Sequence, residues 1–158
     1  MSPSPLLIDR IMAVMEAAFD PAYGEAWNRR QVSDALSMPG THALVVDTDG
    51  ELLPERLASQ RRPAGFILSR HVLDEEELLL IAVIPDARCR GIGATLINRL
   101  IEAARKRGIA RIYLEMRRGN PALHLYRKLG FEPIGERSNY YRMANGERID
   151  AITFARSI

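Results

Sequence analysis

Cysteine and histidine are scarce in this sequence, and their scarcity limits the chemistry open to it. Cys89 is the only cysteine among the 158 residues, so no intrachain disulfide can form. The same count excludes a metal site built from several cysteines. His42, His71 and His124 are scattered without the spacing of a ligand set, so we expect no metal. These absences predict a protein of a reducing compartment.

Long apolar runs are absent as well, and neither sign of charge dominates. No segment approaches the roughly 20 apolar residues that a membrane helix requires. Residues 1–7 carry Pro3 and Pro5 and lack the basic and apolar regions of a secretory signal. The formal net charge is only +2, which by itself indicates no class of partner. We therefore expect a soluble cytoplasmic protein without a membrane partner, folded as one domain over residues 1–158.

Hydrophobic periodicity predicts a mixed α/β fold with a single sheet flanked by helices. Asp9 is placed as the N-cap of a first helix, because Ile11, Met12 and Met15 follow at helical spacing. The segment 51–63 is polar, and we expect a long mobile loop there. The apolar run 78–83 predicts a strand buried on both faces. Further helices are predicted from residues 29, 92 and 121, and strands at 43–46, 64–70, 77–83, 111–117, 131–137 and 149–156.

The sharpest local feature is a glycine loop, Arg88-Cys89-Arg90-Gly91-Ile92-Gly93, between a predicted buried strand and a predicted amphipathic helix. Backbone N–H groups in such a loop, together with the positive end of the helix dipole, form a site for phosphate oxygens. Nine basic and two acidic residues lie between positions 88 and 118, which favours an anionic ligand. A simple tight turn is the alternative explanation of a lone Gly-x-Gly.

Two other phosphate-binding motifs do not fit this loop. A dinucleotide fingerprint would place a third glycine at position 96, where the chain has Leu96. A nucleotide P-loop needs Gly-Lys followed by Ser or Thr, and the sequence contains no such run. Both motifs are therefore rejected.

Two segments in the same chain together resemble the GNAT superfamily of N-acetyltransferases. Arg88-x-x-Gly91-x-Gly93 resembles its acetyl-CoA pyrophosphate loop, and Asn120 with Leu125-Tyr126-x-x-x-Gly130-Phe131 resembles its second conserved segment. The stretches 72–75, 114–117, 139–141 and 150–152 are similar to the RimI family of ribosomal-protein-alanine N-acetyltransferases. The resemblance implies a GNAT fold with a mostly antiparallel sheet. It also implies transfer of an acetyl group from acetyl-CoA to the N-terminal alanine of a small-subunit ribosomal protein.

The resemblance implies a role for particular residues as well. Glu115 would act as the general base, directly or through a water, and Tyr126 as the general acid toward the leaving thiolate. Attack would be direct, so Cys89 would have no covalent role. The run Asn139, Tyr140 and Tyr141 suggests a wall of the amine-substrate groove. The residues implied to bind acetyl-CoA are Ile81, Ala82, Val83, Arg88, Cys89, Arg90, Gly91, Ile92, Gly93, Ala94 and Asn120.

Each candidate residue also has a purely structural explanation. Glu115 could be a surface carboxylate on an alternating strand, and Tyr126 a core tyrosine with a satisfied hydroxyl. Asn120 is explained as an N-cap, and the two neighbouring tyrosines as strand packing. The chain also has one residue fewer than the family between Asn120 and Tyr126, which leaves the contact made by Asn120 open.

Three functions stay open at this stage. The first is transfer to a protein N-terminus, and the second is the same chemistry on a small amine, an antibiotic or a protein lysine. The third is a non-catalytic module that binds acetyl-CoA. The sequence argues against nucleic acid as a direct ligand, because it has no aromatic-rich binding strand and no recognition motif. Nothing in the sequence indicates the oligomeric state.

Overall fold

In the part of the chain that the computed structural model describes, residues 4–19, 24–55 and 59–158, six β-strands form one mixed sheet flanked by four α-helices. The strand order is β1-β2-β3-β4-β6-β5. The helices are α1 (Pro5–Ala18), α2 (Arg29–Ser37), α3 (Ile92–Lys106) and α4 (Leu123–Lys128). The strands are β1 (Thr41–Asp47), β2 (Pro63–Val72), β3 (Glu75–Val83), β4 (Arg111–Arg117), β5 (Glu132–Arg142) and β6 (Arg148–Ser157).

The pairing of β3 with β4 sets the shape of the sheet. These two strands pair in parallel, whereas every other neighbouring pair is antiparallel. Their ladder is short, because only residues 75–77 of β3 face residues 111–113 of β4. Both strands continue beyond this ladder, β3 to Val83 and β4 to Arg117. The sheet therefore opens between them, and the prediction of a mixed, mostly antiparallel sheet is confirmed.

The apolar and polar residues of α3 and β4 determine which face of each element packs against the core beside the gap between β3 and β4. α3 buries an apolar stripe, and its last turn carries Arg105 and Lys106, where cations offset the negative end of the helix dipole. β4 alternates, with Ile112, Leu114 and Met116 buried in the core and the intervening side chains partly exposed on the other face. That second face carries Tyr113, Glu115 and Arg117. The largest fully buried aromatic side chains are Phe66, Phe131 and Phe154.

The first helix begins earlier than predicted. α1 starts at Pro5, so Asp9 lies inside the helix and is not its N-cap. Proline is favoured in the first turn of a helix, and Leu7 and Ile8 extend the buried stripe backwards. The Asp9 carboxylate instead forms an ion pair with Arg29 of α2, at 2.5 Å.

Two other predictions about the elements need correction. Burial along β3 is not continuous: Leu78 and Ala82 are buried, whereas Leu79, Leu80 and Ile81 are only half-buried, because the sheet opens beside this strand. α4 begins at Leu123, after a turn in which Asn120 Oδ1 accepts a hydrogen bond from the N–H of Ala122 at 2.9 Å.

The other predicted elements are confirmed, with small changes of length. The predicted loop 51–63 has no regular helix in its described parts, and residues 56–58 lie outside them. Arg61 ties the later part of this loop to the sheet, because its Nη1 lies 2.9 Å from Asp47 Oδ2. None of the described helices combines the length and the apolar character needed to cross a membrane.

Candidate active site

A cleft of about 550 Å³ lies where β3 and β4 separate. Its walls come from the end of α1, the outer part of β3, the glycine loop with the start of α3, and α4. The residues around it are Ala18, Phe19, Glu25, Ile81, Ala82, Val83, Ala87, Arg88, Cys89, Gly91, Ile92, Gly93, Ala94, Arg117, Asn120, Pro121, Ala122, Leu125, Tyr126 and Lys128. The structure thus brings together most of the residues predicted to bind a cofactor, along with Tyr126.

The glycine loop offers a set of unpaired backbone donors at this cleft. Among the described residues, none accepts a hydrogen bond from the N–H groups of residues 89–94. The first internal bond of α3 is made by Thr95, whose N–H donates to the carbonyl of Gly91 at 3.0 Å. Unpaired N–H groups at the positive end of a helix dipole bind phosphate oxygens. The loop therefore fits a phosphate-bearing ligand.

Glycine is required at two positions of this loop for different reasons. Gly91 has φ +80°, a left-handed conformation that side chains rarely adopt, and a Cβ there would meet nothing within 4 Å. At Gly93, a Cβ would lie 3.1 Å from Leu125 Cδ2 of α4, so the leucine side chain would have to move by a few tenths of an ångström. Cys89 also has a positive φ, +62°. The backbone here is held in the shape that presents its N–H groups.

Of the two arginines in the loop, one contacts the wall of the cleft and the other is exposed. Arg88 contacts protein carbonyls: its Nε donates to Val83 at 3.1 Å and its Nη2 to Ala18 at 2.7 Å. Arg88 therefore joins the end of α1 to the end of β3 and braces the cleft wall. Arg90 is exposed and lies outside the set of residues that line the cleft.

The outer part of β3 presents an edge to the cleft. Residues 81–83 pair with β2 on one side, and β4 has already diverged on the other. An unpaired strand edge can take up an extended, amide-containing chain as if it were a further strand. Ile81, Ala82 and Val83 all line the cleft, as the sequence predicts for residues that contact a cofactor.

Tyr126 is almost fully buried at the base of the cleft, with 5% of its surface exposed. Its ring packs edge-to-face on Phe131, with the centroids 5.9 Å apart. Burial, and secondarily the negative charge of Glu25, raise the pKa of Tyr126 well above its ordinary value. The phenol is therefore protonated throughout the neutral range and can donate a proton.

Glu115 lies on β4 beside the cleft and is not among the residues that line it. One of its oxygens, Oε2, lies 3.3 Å from Arg137 Nε and accepts a hydrogen bond from Thr153 Oγ1 at 3.5 Å. Residues two apart on a strand face the same way and are roughly 7 Å apart. Glu115 therefore stands one repeat along β4 from Arg117, which does line the cleft.

The run Asn139–Tyr141 occupies an irregular part of β5. The register with β6 shifts between Arg137 and Tyr141, and Asn139 has φ +55°. Tyr140 is exposed, with the Arg137 guanidinium 4.9 Å above its ring. Burial, followed by the charges of Glu115 and Glu25, raises the pKa of Tyr141 to about 12. The irregularity therefore brings Tyr141 near both carboxylates, outside the cofactor cleft.

Sequence reasoning missed several residues of the cleft. Glu25 and Arg117 form an ion pair in its wall, with Oε1 and Nε 3.4 Å apart and side chains 23% and 11% exposed, respectively. They are 92 positions apart in the chain, so no local pattern connects them. Phe19, just after α1, also lines the cleft, and no local motif indicates it. Leu125 belongs to a recognisable motif, but its approach to Gly93 of the loop depends on how α4 packs.

Comparisons with solved structures define the class of this fold. The chain aligns over its whole length with 92% of the crystal structure of the ribosomal-protein-S18-alanine N-acetyltransferase from Escherichia coli, at a TM-score of 0.79 and 29% identity. It aligns over 98% of its length with 92% of an aminoglycoside 6'-N-acetyltransferase complexed with coenzyme A, at a TM-score of 0.72 and 20% identity, a likeness of fold alone. The fold is that of the GNAT N-acetyltransferases.

Sequence comparison then gives the family. Residues 9–131 match the acetyltransferase (GNAT) family model. The [ribosomal protein bS18]-alanine N-acetyltransferase of Escherichia coli strain K12 is 38% identical over 123 residues, which are 77% of this chain and 82% of that relative. This chain belongs to the acetyltransferase (GNAT) family. The resemblance to the family and to its ribosomal-protein-alanine branch is thereby confirmed.

Proposed function

We propose that this chain transfers the acetyl group of acetyl-CoA to the N-terminal α-amine of a protein. The acceptor we favour is the N-terminal alanine of a small-subunit ribosomal protein, because its Escherichia coli relative is a [ribosomal protein bS18]-alanine N-acetyltransferase. The observation that carries the proposal is the cleft itself. It combines a loop of unpaired N–H donors, an open strand edge and a buried protonated tyrosine.

The residues of the cleft fit acetyl-CoA part by part. The N–H groups of residues 89–94 would hold its pyrophosphate, and the open edge at residues 81–83 would pair with the amides of its pantetheine arm. Asn120 accepts a hydrogen bond in the turn before α4 and lines the cleft, so it would contact the same arm. When bound, acetyl-CoA supplies the thioester carbonyl that the acceptor amine attacks.

Glu115 would accept the proton that the acceptor amine has to lose. An α-amine has a pKa near 8, so at neutral pH most of it is protonated and cannot attack a carbonyl. Glu115 lies one strand repeat along β4 from the cleft-lining Arg117, and the proton of the amine would reach it directly or through a water. The side chains of Arg137 and Thr153 contact the Glu115 carboxylate and hold it in place.

Tyr126 would donate its phenol proton to the departing sulfur. It lines the cleft, and its raised pKa keeps the phenol protonated at neutral pH. The sulfur would take up this proton as the carbon–sulfur bond of the thioester breaks. No enzyme nucleophile is required, because the amine and the thioester react directly when held together.

The remaining parts of the proposal concern the molecule as a whole. We propose that residues 1–158 form a single N-acetyltransferase domain and that it works in the cytoplasm. Asn139, Tyr140 and Tyr141 would border the acceptor, since Tyr141 lies close enough to Glu115 and Glu25 for both charges to act on it. The alternative acceptors are a small amine or a protein lysine, and the alternative role is binding of acetyl-CoA without turnover.

Product analysis by mass spectrometry tests the proposal directly. The protein is mixed with acetyl-CoA and a short peptide that bears a free N-terminal alanine. The control is the same peptide with its α-amine blocked and a lysine left free. We expect acetylation of the first peptide alone. Acetylation of both would indicate broad amine specificity, and product from neither, with cofactor binding intact, would overturn transfer to a protein N-terminus.

A further inference from the structure

Glu25 is a carboxylate built into the cleft wall that the proposed mechanism does not use. It lies in the short segment between α1 and α2, where Trp27 packs against the core and Asn28 caps α2. The side chains of Asn28 and Gln31 form a reciprocal capping box, with both hydrogen bonds at 2.8 Å. The chain is therefore fixed from Trp27 onwards, two residues after Glu25, which lines the cleft.

The contacts of the Glu25 carboxylate leave one of its oxygens able to bind a positively charged group. Its Oε1 pairs with Arg117 Nε at 3.4 Å, a long contact for an ion pair. Its Oε2 has no hydrogen-bond partner among the described residues. A carboxylate that is mostly removed from water and only half satisfied gains free energy when a further donor arrives.

The position of Glu25 relative to the two tyrosines shows where such a donor would sit. The charge of Glu25 acts on both Tyr126 and Tyr141, whereas that of Glu115 acts on Tyr141. Glu25 also lines the cleft together with Tyr126, whereas Glu115 does not. Glu25 is therefore the carboxylate that shares the cleft with the candidate acid Tyr126.

We propose that Glu25 binds the protonated α-amine of the acceptor at its Oε2, and so selects a charged N-terminus before Glu115 removes the proton. This inference rests on the proposed function and adds a residue that determines acceptor specificity. A protein N-terminus enters the cleft as a cation, and a cation that leaves water needs a carboxylate partner. Glu25 supplies this partner.

The test measures peptide binding without turnover. Each protein is saturated with CoA, which carries no acetyl group, and titrated in a calorimeter with two peptides. One peptide begins with alanine, and the other is identical except that hydrogen replaces its α-amine. For the wild type we expect the amine peptide to bind about 10-fold or more tightly, the value of one charge-assisted hydrogen bond. In Glu25→Gln this preference should fall to about 2-fold or less.

Glu16→Gln is the matched control, since Glu16 lies exposed on α1 and the change of charge is the same. It should bind both peptides as the wild type does. In steady-state kinetics, Glu25→Gln should raise KM for the peptide about 10-fold and leave kcat within about 3-fold. A rise in KM without a fall in kcat would indicate that Glu25 binds the amine. Loss of a residue that accepts the proton would instead lower kcat.

Three results would overturn the inference. The wild type could bind the two peptides equally, or Glu25→Gln could keep the full preference for the amine; in both cases the proposed function stands and Glu25 is not its amine site. If neither peptide binds to the wild type with CoA while a lysine peptide or a small amine does, the acceptor proposal itself fails. The two failures are therefore distinguishable.

Discussion

At the scale of single residues, the candidate base and the candidate acid have opposite surroundings. Glu115 lies on a partly exposed strand face, where Arg137 and Thr153 contact its carboxylate. Tyr126 is almost fully buried, and burial raises its pKa and favours the neutral form that donates a proton. The burial of Tyr126 thus stabilises the protonation state that its proposed role requires at neutral pH.

Glu115→Gln tests the base at this scale. The amide keeps the size of the side chain and cannot accept a proton, so we expect kcat to fall about 100-fold or more. The affinity for acetyl-CoA, measured by calorimetry, should not change, because Glu115 does not line the cleft. Glu102→Gln, an exposed position on α3, is the control and should keep full turnover. Full turnover in Glu115→Gln would exclude the general-base role.

Tyr126→Phe tests the acid. Without the hydroxyl, the sulfur must leave unprotonated, and we expect kcat to fall at least about 10-fold. Because the pKa of Tyr126 lies above its ordinary value of 10.0, the donor form persists as pH rises. The wild-type kcat should therefore show no fall from this phenol between about pH 8 and about pH 10.

Tyr113→Phe is the control for this experiment, since Tyr113 lies on β4 outside the set of residues that line the cleft. It should leave kcat unchanged. If Tyr126→Phe matches the wild type at every pH, then Tyr126 serves only as a core residue.

At the scale of elements, the glycine loop and the start of α3 form the proposed binding site for the phosphates of acetyl-CoA. Two glycines with similar backbone conformations allow this proposal to be tested. Gly91 and Gly108 lie just before and just after α3, with φ +80° and +83°, and a Cβ at either position meets nothing within 4 Å. Alanine at either position should cost about 1 kcal/mol of unfolding free energy, because both must keep a left-handed backbone.

Of these two variants, only Gly91→Ala should change the affinity for acetyl-CoA. The added methyl group would hold a phosphate away from the N–H groups of residues 89–94, and we expect the affinity for acetyl-CoA to fall about 10-fold. Gly108→Ala should bind acetyl-CoA as the wild type does. Calorimetric titration and urea unfolding of both variants check the two effects separately. Equal acetyl-CoA affinity in the two variants would show that the loop does not hold the cofactor.

The elements also show how far the sequence can be interpreted. α3 and β4 are predictable because their apolar residues repeat at 3.6 and 2 positions over a full element. The start of α1 cannot be predicted in this way, because both Pro5 and Asp9 are acceptable near the start of a helix. The choice between them depends on the packing of Leu7 and Ile8. The glycine loop and Tyr126 could be recognised from local motifs, as could the run that places Tyr141.

The rest of the candidate site arises from contacts between distant segments. Glu25 meets Arg117 across 92 positions, and Arg88 connects the end of α1 to β3. The divergence of β3 from β4 follows from where their ladder stops, which neither strand's sequence encodes alone. For this reason the glycine loop and the cleft position of Tyr126 could be predicted from the sequence, whereas the pairing of Glu25 with Arg117 could not.

At the scale of the whole molecule, a group of ionisable side chains lies at the opposite edge of the sheet from β5. Glu76 is fully buried, accepts a hydrogen bond from Ser69 Oγ at 2.6 Å and pairs with Arg107 at 2.5 Å. Beside it, His42 and His71 stack with centroids 5.0 Å apart and share a hydrogen bond of 2.8 Å between ring nitrogens. Such a bond needs one ring nitrogen without a proton, so acid opposes it.

This histidine pair makes the stability of the fold sensitive to mild acid. Burial, and then the positive charge of Arg107, lower the pKa of His42 below its ordinary 6.5. The unfolded chain therefore binds this proton at a higher pH than the folded chain does. The stabilisation is fully present above pH 6.5 and is lost as pH falls from there through the folded-state pKa.

His42→Gln should make the unfolding free energy less dependent on pH. We expect the wild type to lose stability between about pH 7.5 and about pH 5.5, and His42→Gln to lose less over the same interval. Urea unfolding at the two pH values measures both losses. His124→Gln removes an exposed histidine and should behave as the wild type, which separates the stacked pair from histidine titration in general. If His42→Gln keeps the full wild-type pH dependence, the acid sensitivity of this fold comes from its carboxylates, because the stacked rings would then contribute nothing to it.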